Sequence, residues 1–323
     1  MILAGDIGGT NTRLALYPRD LTQATPLQRA SYKNDDFADV HQIVERFLAG
    51  KDRPVLACFG VAGLVDNGSC HLTNRDWTVS EQALYRQLGV PVVLANDVAA
   101  MAIGVAHLQP AGFIDLQRGS RAWGRGNVAV VAAGTGLGKG AAVWDGRRHH
   151  PLASEGGHAD FAATSPIELE LANWLRGRHG GHASIERVIS GPALPEIAEF
   201  LVASGRCKKL PQLQGVAEAE QPAELTRLAL AGKSPQAAAV FDIFLAVLAR
   251  ELGNAALEYL ALGGVALAGG IPPRLVPLLQ QPHFLANVVE KGRFTELLKS
   301  LPIRIVTDTD AALLGAAHIA AGA

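Results

Sequence analysis

The sequence has almost no charge of either sign to spare. Its 29 Lys and Arg stand against 30 Asp and Glu, for a formal net charge of −1. Neither a basic stripe nor a block of like charge appears, which argues against a nucleic-acid partner or a membrane-surface role. Cysteine is scarce as well: Cys58, Cys70 and Cys207, odd in number, widely spaced and without a C-x-x-C pair. That pattern excludes a disulfide framework and reads as reduced thiols in a cytoplasmic protein. Cys58, inside an apolar run, reads as a small buried hydrophobe. Cys70-His71 lacks a partner pair at zinc spacing, so no zinc site is expected. No apolar run is long enough to cross a bilayer. The longest, FLAVLARELGNAALEYLALGGVALAGG, is broken by Arg250, Glu251 and Glu258. The first apolar residues are interrupted by Asp6 with no basic segment before them, and so do not read as a secretion signal. No short-period repeat or low-complexity tract is present.

What is abundant is small residues and short apolar runs. The chain has 323 residues, 35 of them glycine, and only 6% aromatics. That length suggests two domains of α/β type. Residues 2–6 and 12–17 read as strands joined by a tight turn, and residues 37–48 as a helix with Phe37, Val40, Ile43, Val44 and Phe47 on one side. Strands are expected at 54–63 and 90–97. Asp66-Asn67-Gly68 marks a hairpin, and Ser80 and Gly89 bound a short helix. Asp97 stands where it would also cap the helix that follows. The pattern then recurs: NVAVVAAG (127–134) is a strand, GLG a turn and GAAVW (140–144) a second strand. Helices are expected at 166–178, 185–189, 192–204, 222–231 and 235–261, strands at 264–270 and 302–308, and a final helix at DAALLGAAHIAA. Two α/β lobes with a crevice between them follow, divided near LQPAG (108–112). The expected small domain is 1–109, completed by 301–323, and the large domain is 110–300.

Three glycine turns carry the chemistry. In GDIGGTN, Gly8 and Gly9 let backbone N–H groups approach an anion, and Thr10, Asn11 and Thr12 add donors. Asp6, at the strand end, is placed to hold Mg²⁺ through water. A ligand-free Gly-rich turn is the plain alternative. In AAGTGLGKG (132–140), Ala133 stands where a P-loop needs its first glycine, and Gly140 replaces its Ser/Thr. A strand rather than a helix follows, which excludes a dinucleotide fingerprint. A second strand–turn–strand hairpin remains, and the pair can grip a triphosphate from two sides. Lys139 either reaches a phosphate or sits solvated at the turn tip, the default for an exposed lysine, and its role stays open. The third turn, Gly269-Gly270 in ALAGGIPPRL, suits close approach to a purine.

In order, DIGGTNTR, LAND, AAGTGLG, SEGGHADF, ERVISGPAL and LAGGIPPR make the chain resemble the bacterial ATP-dependent glucokinases of the hexokinase/actin-like ATPase superfamily, over residues 2–318. The cysteine-rich zinc motif of the related repressor and sugar-kinase group is absent. The resemblance implies an α/β, two-lobed actin-like ATPase (ribonuclease H-like) fold with an active-site cleft between a small and a large domain. It implies ATP, Mg²⁺ and no zinc, glucose or a closely related hexose as acceptor, and a homodimer. By position it makes Asn96 and Asp97 sugar ligands, with Asp97 the catalytic base, joined by Glu155, His158 and Glu186. It assigns phosphate and metal to Asp6, Gly8, Gly9, Thr10 and Asn11, the second phosphate turn to Gly134, Thr135 and Gly136, and adenosine to Gly269 and Gly270. Carboxylates and an amide are apt for a ring of hydroxyls. Two other readings remain: a same-fold kinase for another hexose, and a non-enzymatic sugar sensor or actin-like assembly protein. The intact acid at 97 argues against the sensor, and no helix-turn-helix precedes the first strand.

Overall fold

The computed structural model describes residues 1–21, 25–72 and 75–322. The N-terminal part contains β1 (Ile2–Ile7), β2 (Asn11–Tyr17), β3 (Gln28–Lys33), α1 (Val40–Leu48) and β4 (Leu56–Val61), then β5 (Val65–Asp66), β6 (Ser69–His71), β7 (Thr78–Ser80), α2 (Glu81–Leu88), β8 (Val92–Asn96) and α3 (Asp97–His107). The remainder contains β9 (Phe113–Gln117), β10 (Val128–Ala133), β11 (Leu137–Trp144), β12 (His149–Ser154), α4 (Pro166–Arg178), α5 (Ala193–Ala203), α6 (Gln221–Leu230), α7 (Pro235–Glu258) and β13 (Gly264–Ala268). It closes with α8 (Val276–Leu279), α9 (Pro282–Val289), α10 (Thr295–Ser300), β14 (Ile303–Val306) and α11 (Ala311–Ala320).

The first sheet runs β3-β2-β1-β4-β8, with the first three strands antiparallel and β1, β4 and β8 parallel. The second repeats this order as β12-β11-β10-β13-β14, with the same directions, and adds β9 antiparallel at its edge. This duplication is the actin-like ATPase arrangement. The first two glycine turns lie at the tips of the β1–β2 and β10–β11 hairpins, so the repeat places them equivalently. The Asp66-Asn67-Gly68 signal is a hairpin turn between β5 and β6, with Asn67 and Gly68 at φ of 47° and 69°.

One expectation is overturned. The last strand does not return to the first lobe: β14 pairs with β13 and β9 in the second sheet. Ile303 and Ile305 are fully buried in the large core shared with α7 and α9. Only the last helix returns, and α11 packs on β1, β4 and α3. Helix α1 likewise starts later than its apolar spacing suggests. Asp39 accepts the Gln42 N–H at 3.0 Å and caps it, leaving Phe37 outside. Helix α7 stops at Glu258, and Leu260 beyond it has φ of 44°.

Helices α3 and α11 lie between the sheets. One buried cluster joins Ala4 and Cys58 of the first sheet, Ile103 and Leu314 of the helices, and Val130 and Ala266 of the second. The two helices cross with backbones in contact. A Cβ at Gly104 would lie 1.7 Å from the Ala311 carbonyl oxygen, and one at Gly315 1.7 Å from that of Ala100. Any side chain at either position would force the helices apart.

Candidate active site

Residue 97 enters helix α3 directly from the end of strand β8, of which only Leu94 is buried and Val93 is exposed. The cap of that helix is Asn96, not Asp97. Asn96 Oδ1 accepts the N–H groups of Val98 and Ala99, each at 3.1 Å, and its Nδ2 points to the Gly63 carbonyl at 3.5 Å. Asp97 is the first helical residue. Its Oδ1 accepts the Val98 N–H at 2.8 Å. Burial first, then the negative charge of Asp6, raise the Asp97 pKa from 3.8 to about 6. The Val98 N–H opposes this, and Glu155 adds to it. Three carboxylates from three separate segments therefore share one electrostatic neighbourhood.

The first glycine turn is closed by the Gly8 N–H on the Asn11 carbonyl at 3.0 Å. Beneath it sits Asn34, fully buried. Its Nδ2 donates to the Gly8 and Gly9 carbonyls at 2.8 and 3.1 Å, and its Oδ1 accepts the Thr12 hydroxyl at 2.8 Å. In a trans peptide the C=O and N–H point opposite ways. Drawing two carbonyls to one side thus turns the Gly9 and Thr10 N–H groups to the other. Thr10 and Asn11 are exposed at the turn. Sequence reasoning missed Asn34, because a lone Asn after a strand carries no local signal. It missed Arg13 too. That guanidinium holds Asp6 Oδ2, through Nε at 2.9 Å and Nη2 more closely, and donates to the Thr309 carbonyl at 2.5 Å.

At the second turn, Gly134 N–H donates to the Gly136 carbonyl at 2.9 Å, and Gly191 N–H to the Gly134 carbonyl at 2.8 Å. Glu186, on the 3₁₀ turn Ile185–Arg187, accepts the Leu137 N–H on Oε2 at 2.9 Å. A Cβ on Gly136 would stand 2.6 Å from that oxygen. At the third turn Gly269 has φ of 93°, and a Cβ there would lie 2.2 Å from the Ala133 carbonyl, so β13 abuts the end of β10. Ile271 N–H donates to the same carbonyl at 3.2 Å. The second and third turns thereby open on one cavity of about 1080 Å³, with Gly134, Thr135, Gly191, Gly270, Ile271 and Arg274 in its wall.

A separate cavity of about 330 Å³ is walled by Gly63, Asn96, Ser154 and Glu155. Glu155 precedes, and His158 ends, the single 3₁₀ turn Gly156–His158. The His158 N–H donates to the Glu155 carbonyl at 2.9 Å, and the His158 side chain is exposed outside that cavity.

Lys139 corrects the solvated turn-tip reading. It lies inside strand β11, buried, with Nζ 2.6 Å from Glu251 and 2.7 Å from Glu258 of α7. Burial lowers its pKa, but the bonds and charges of the two glutamates outweigh that and raise it. Strand alternation sends residues 138 and 140 to the α3 side and 139 to the α7 side.

Among the described residues no group of three or more His, Cys, Asp or Glu is arranged to hold a metal, and no helix is long and apolar enough to cross a membrane. The sequence matches the family model described as Glucokinase over residues 3–323. It is 34% identical to a glucokinase of Nostoc sp., with 99% of each chain covered. It is 35% identical to a glucokinase of Caulobacter vibrioides, covering 98% of this chain and 93% of the other. The solved structure of a glucokinase from an Antarctic psychrotroph superposes with a TM-score of 0.85 at 29% identity, covering 100% of this chain and 99% of that one.

Proposed function

As the chain belongs to the glucokinase family and is an ATP-dependent hexose kinase, we propose that it phosphorylates glucose at the 6-hydroxyl with Asp97 as general base. The observation that carries this reading is the Asp97 carboxylate: mostly buried, fixed by the Val98 N–H through one oxygen, with a pKa raised to about 6. At neutral pH such a group is ionised yet basic enough to accept a proton. It takes the proton of the 6-hydroxyl as that oxygen bonds to the γ-phosphorus. The bond from the γ-phosphorus to the β,γ-bridging oxygen breaks, and ADP carries away the electron pair.

Asn96 spends its carbonyl oxygen on the cap, which leaves its amide N–H groups to donate to a sugar hydroxyl. Glu155 and Glu186 accept hydroxyl protons, and His158 closes the set. The first glycine turn offers the Gly9 and Thr10 N–H groups to phosphate oxygens from one lobe. The 134–136 turn offers its own from the other, and the larger cavity beside Gly270 has room for adenosine. Asp6 fits a divalent ion held through water: Arg13 occupies Oδ2, leaving Oδ1. Magnesium usually keeps its waters and takes only one or two protein carboxylates. When bound, that ion neutralises charge on the phosphates.

The deciding experiment is glucose-dependent ADP formation by the wild type beside Asp97→Asn, repeated over a hexose panel. Turnover with glucose, lost in the variant, supports the reading. ATP hydrolysis indifferent to any sugar overturns it.

A further inference from the structure

Far from Asp97, at the other end of α3, a third pocket, of about 590 Å³, is built from both halves of the molecule. Its floor is three histidines. His107 and His318, in the last turns of α3 and α11, stack with ring centroids 3.9 Å apart and planes 13° apart. His149, 3% exposed at the start of β12, meets His107 edge-on at 5.8 Å. Trp123 and Trp144 stand at its sides.

The polar atoms here are unusually short of partners. His107 Nε2, His149 Nδ1, His318 Nδ1 and Trp123 Nε1 are all buried without a hydrogen bond among the described residues. His149 has spent only its other nitrogen, 3.1 Å from the Gly126 carbonyl. A buried polar atom without a partner is costly to leave so. Trp123 Nε1 is a donor as it stands, whereas His149 Nδ1, on a ring that already donates from Nε2, becomes one on protonation.

The rim supplies the charge. Arg19 comes from the connection after β2, on the first sheet. Arg125 precedes β10, and Arg147 and Arg148 form the β11–β12 turn, on the second. A single carboxylate, Asp20, lies among them. Asp145 is turned to its own loop, accepting the Arg147 and Arg148 N–H groups and His150 Nε2. The histidines do not form a metal-holding group, and four guanidiniums would repel a cation.

We propose that this pocket binds a small phosphoryl-bearing anion, with its oxygens on the arginine rim and the histidine ring nitrogens, bridging the two lobes on the face opposite the cleft. Guanidinium forks match phosphate oxygens, the indoles offer a stacking surface for an organic substituent, and the volume is that of a small-molecule site. This site is independent of the reading of the cleft.

Protons report on it. Burial first, then His149, lower the pKa of His107, and burial first, then His107, lower that of His318 to about 4. Burial also lowers His149, against the Gly126 carbonyl and Asp145, which raise it. The rings are therefore neutral at pH 7. An anion against them favours the charged form, so binding takes up protons.

The test is calorimetric titration of inorganic pyrophosphate into the full chain, already saturated with glucose and a non-hydrolysable ATP analogue. Buffers of different ionisation heat report the protons. Saturable binding, proton uptake at pH 7, and at least tenfold weaker binding in Arg125→Ala/Arg148→Ala support the site. Uptake should vanish in His107→Gln/His318→Gln. Each variant must keep wild-type glucose-dependent ADP formation as its folding control, and Arg125→Lys/Arg148→Lys provides a charge-conserving version. Parallel titrations with inorganic phosphate, a sugar phosphate and a nucleoside monophosphate rank the substituent. Binding that disappears once the cleft is filled, that never saturates, or that ignores the arginine substitutions overturns the proposal.

Discussion

The Glu186 carboxylate accepts the backbone N–H of Leu137 at 2.9 Å. A residue proposed to touch the sugar thus also holds the turn proposed to touch ATP. Glu186→Ala should therefore raise the KM for both substrates, where loss of a pure sugar contact raises only one. Glu186→Gln keeps an acceptor for Leu137 and should affect glucose more than ATP. Two-substrate steady-state kinetics separates these patterns, and a Glu186→Ala enzyme with an unchanged ATP KM would count against the dual role.

Asp97→Asn should leave ATP binding intact while turnover drops by roughly 10²–10⁴-fold. In the wild type, kcat/KM should fall as pH drops through about 6, where the base takes its proton. Because the folded pKa lies above the ordinary 3.8, the ionised group opposes folding above pH 6, and that opposition disappears below about pH 4. The Asn variant should therefore gain stability at pH 7, by at most on the order of 3 kcal/mol, and gain little at pH 4. Thermal denaturation at the two pH values measures the difference.

Glu155→Gln should chiefly weaken sugar binding. The carboxylate that lines the smaller cavity loses its charge but keeps its shape. Removing it also removes one of the charges that raise Asp97, so the acid limb of the pH profile should move down. A glucose titration with unchanged affinity would rule out its role as a ligand.

Asn34→Ala leaves the Gly8 and Gly9 carbonyls and the Thr12 hydroxyl without their partner. A stability loss on the order of 2–3 kcal/mol is expected, with a several-fold rise in the ATP KM and little change for glucose. Urea unfolding and steady-state kinetics read the two effects. Equal changes for both substrates would mean that Asn34 does not orient the first turn in particular.

Lys139→Met removes the ion-pair partner of the buried Glu251 side chain, 8% exposed. The expected cost is about 3–5 kcal/mol. Adding Glu251→Leu should recover much of it, since the pair is then replaced rather than broken. The Lys139 stem also underlies the Glu155–His158 turn: a Cβ on Gly156 would lie 3.0 Å from its Cδ. A raised glucose KM should accompany the single change.

Much of this was legible in the chain because the signals were local. The apolar runs of β1, β4, β8, β10 and β13 and the glycines between paired strands mark the duplicated lobes. LAND places an acid at a strand end. What escaped depended on contacts distant in sequence. Asn34 is 22 residues from Thr12, and Lys139 is 112 residues from Glu251. The edge strands β3, β9 and β12 are half polar or exposed and show no strong alternation. The last strand looked ready to rejoin the N-terminal lobe, because sequence order says nothing about which sheet has an open parallel edge beside β13. At residues 96 and 97 either side chain is a competent cap, and only the backbone angle of Asn96, φ −60° and ψ 142°, decides between them.

The meshed glycines of α3 and α11 have a mechanical corollary. With no side chain between the two helices at their crossing, there is no soft layer to absorb a small displacement. The pair acts as a single axle. Helix α3 is a rod of 11 residues, about 15 Å from end to end, with Asp97 at one tip and His107 at the other. The end of α3 at the histidine pocket and its end at strand β8 are thus held at a fixed separation.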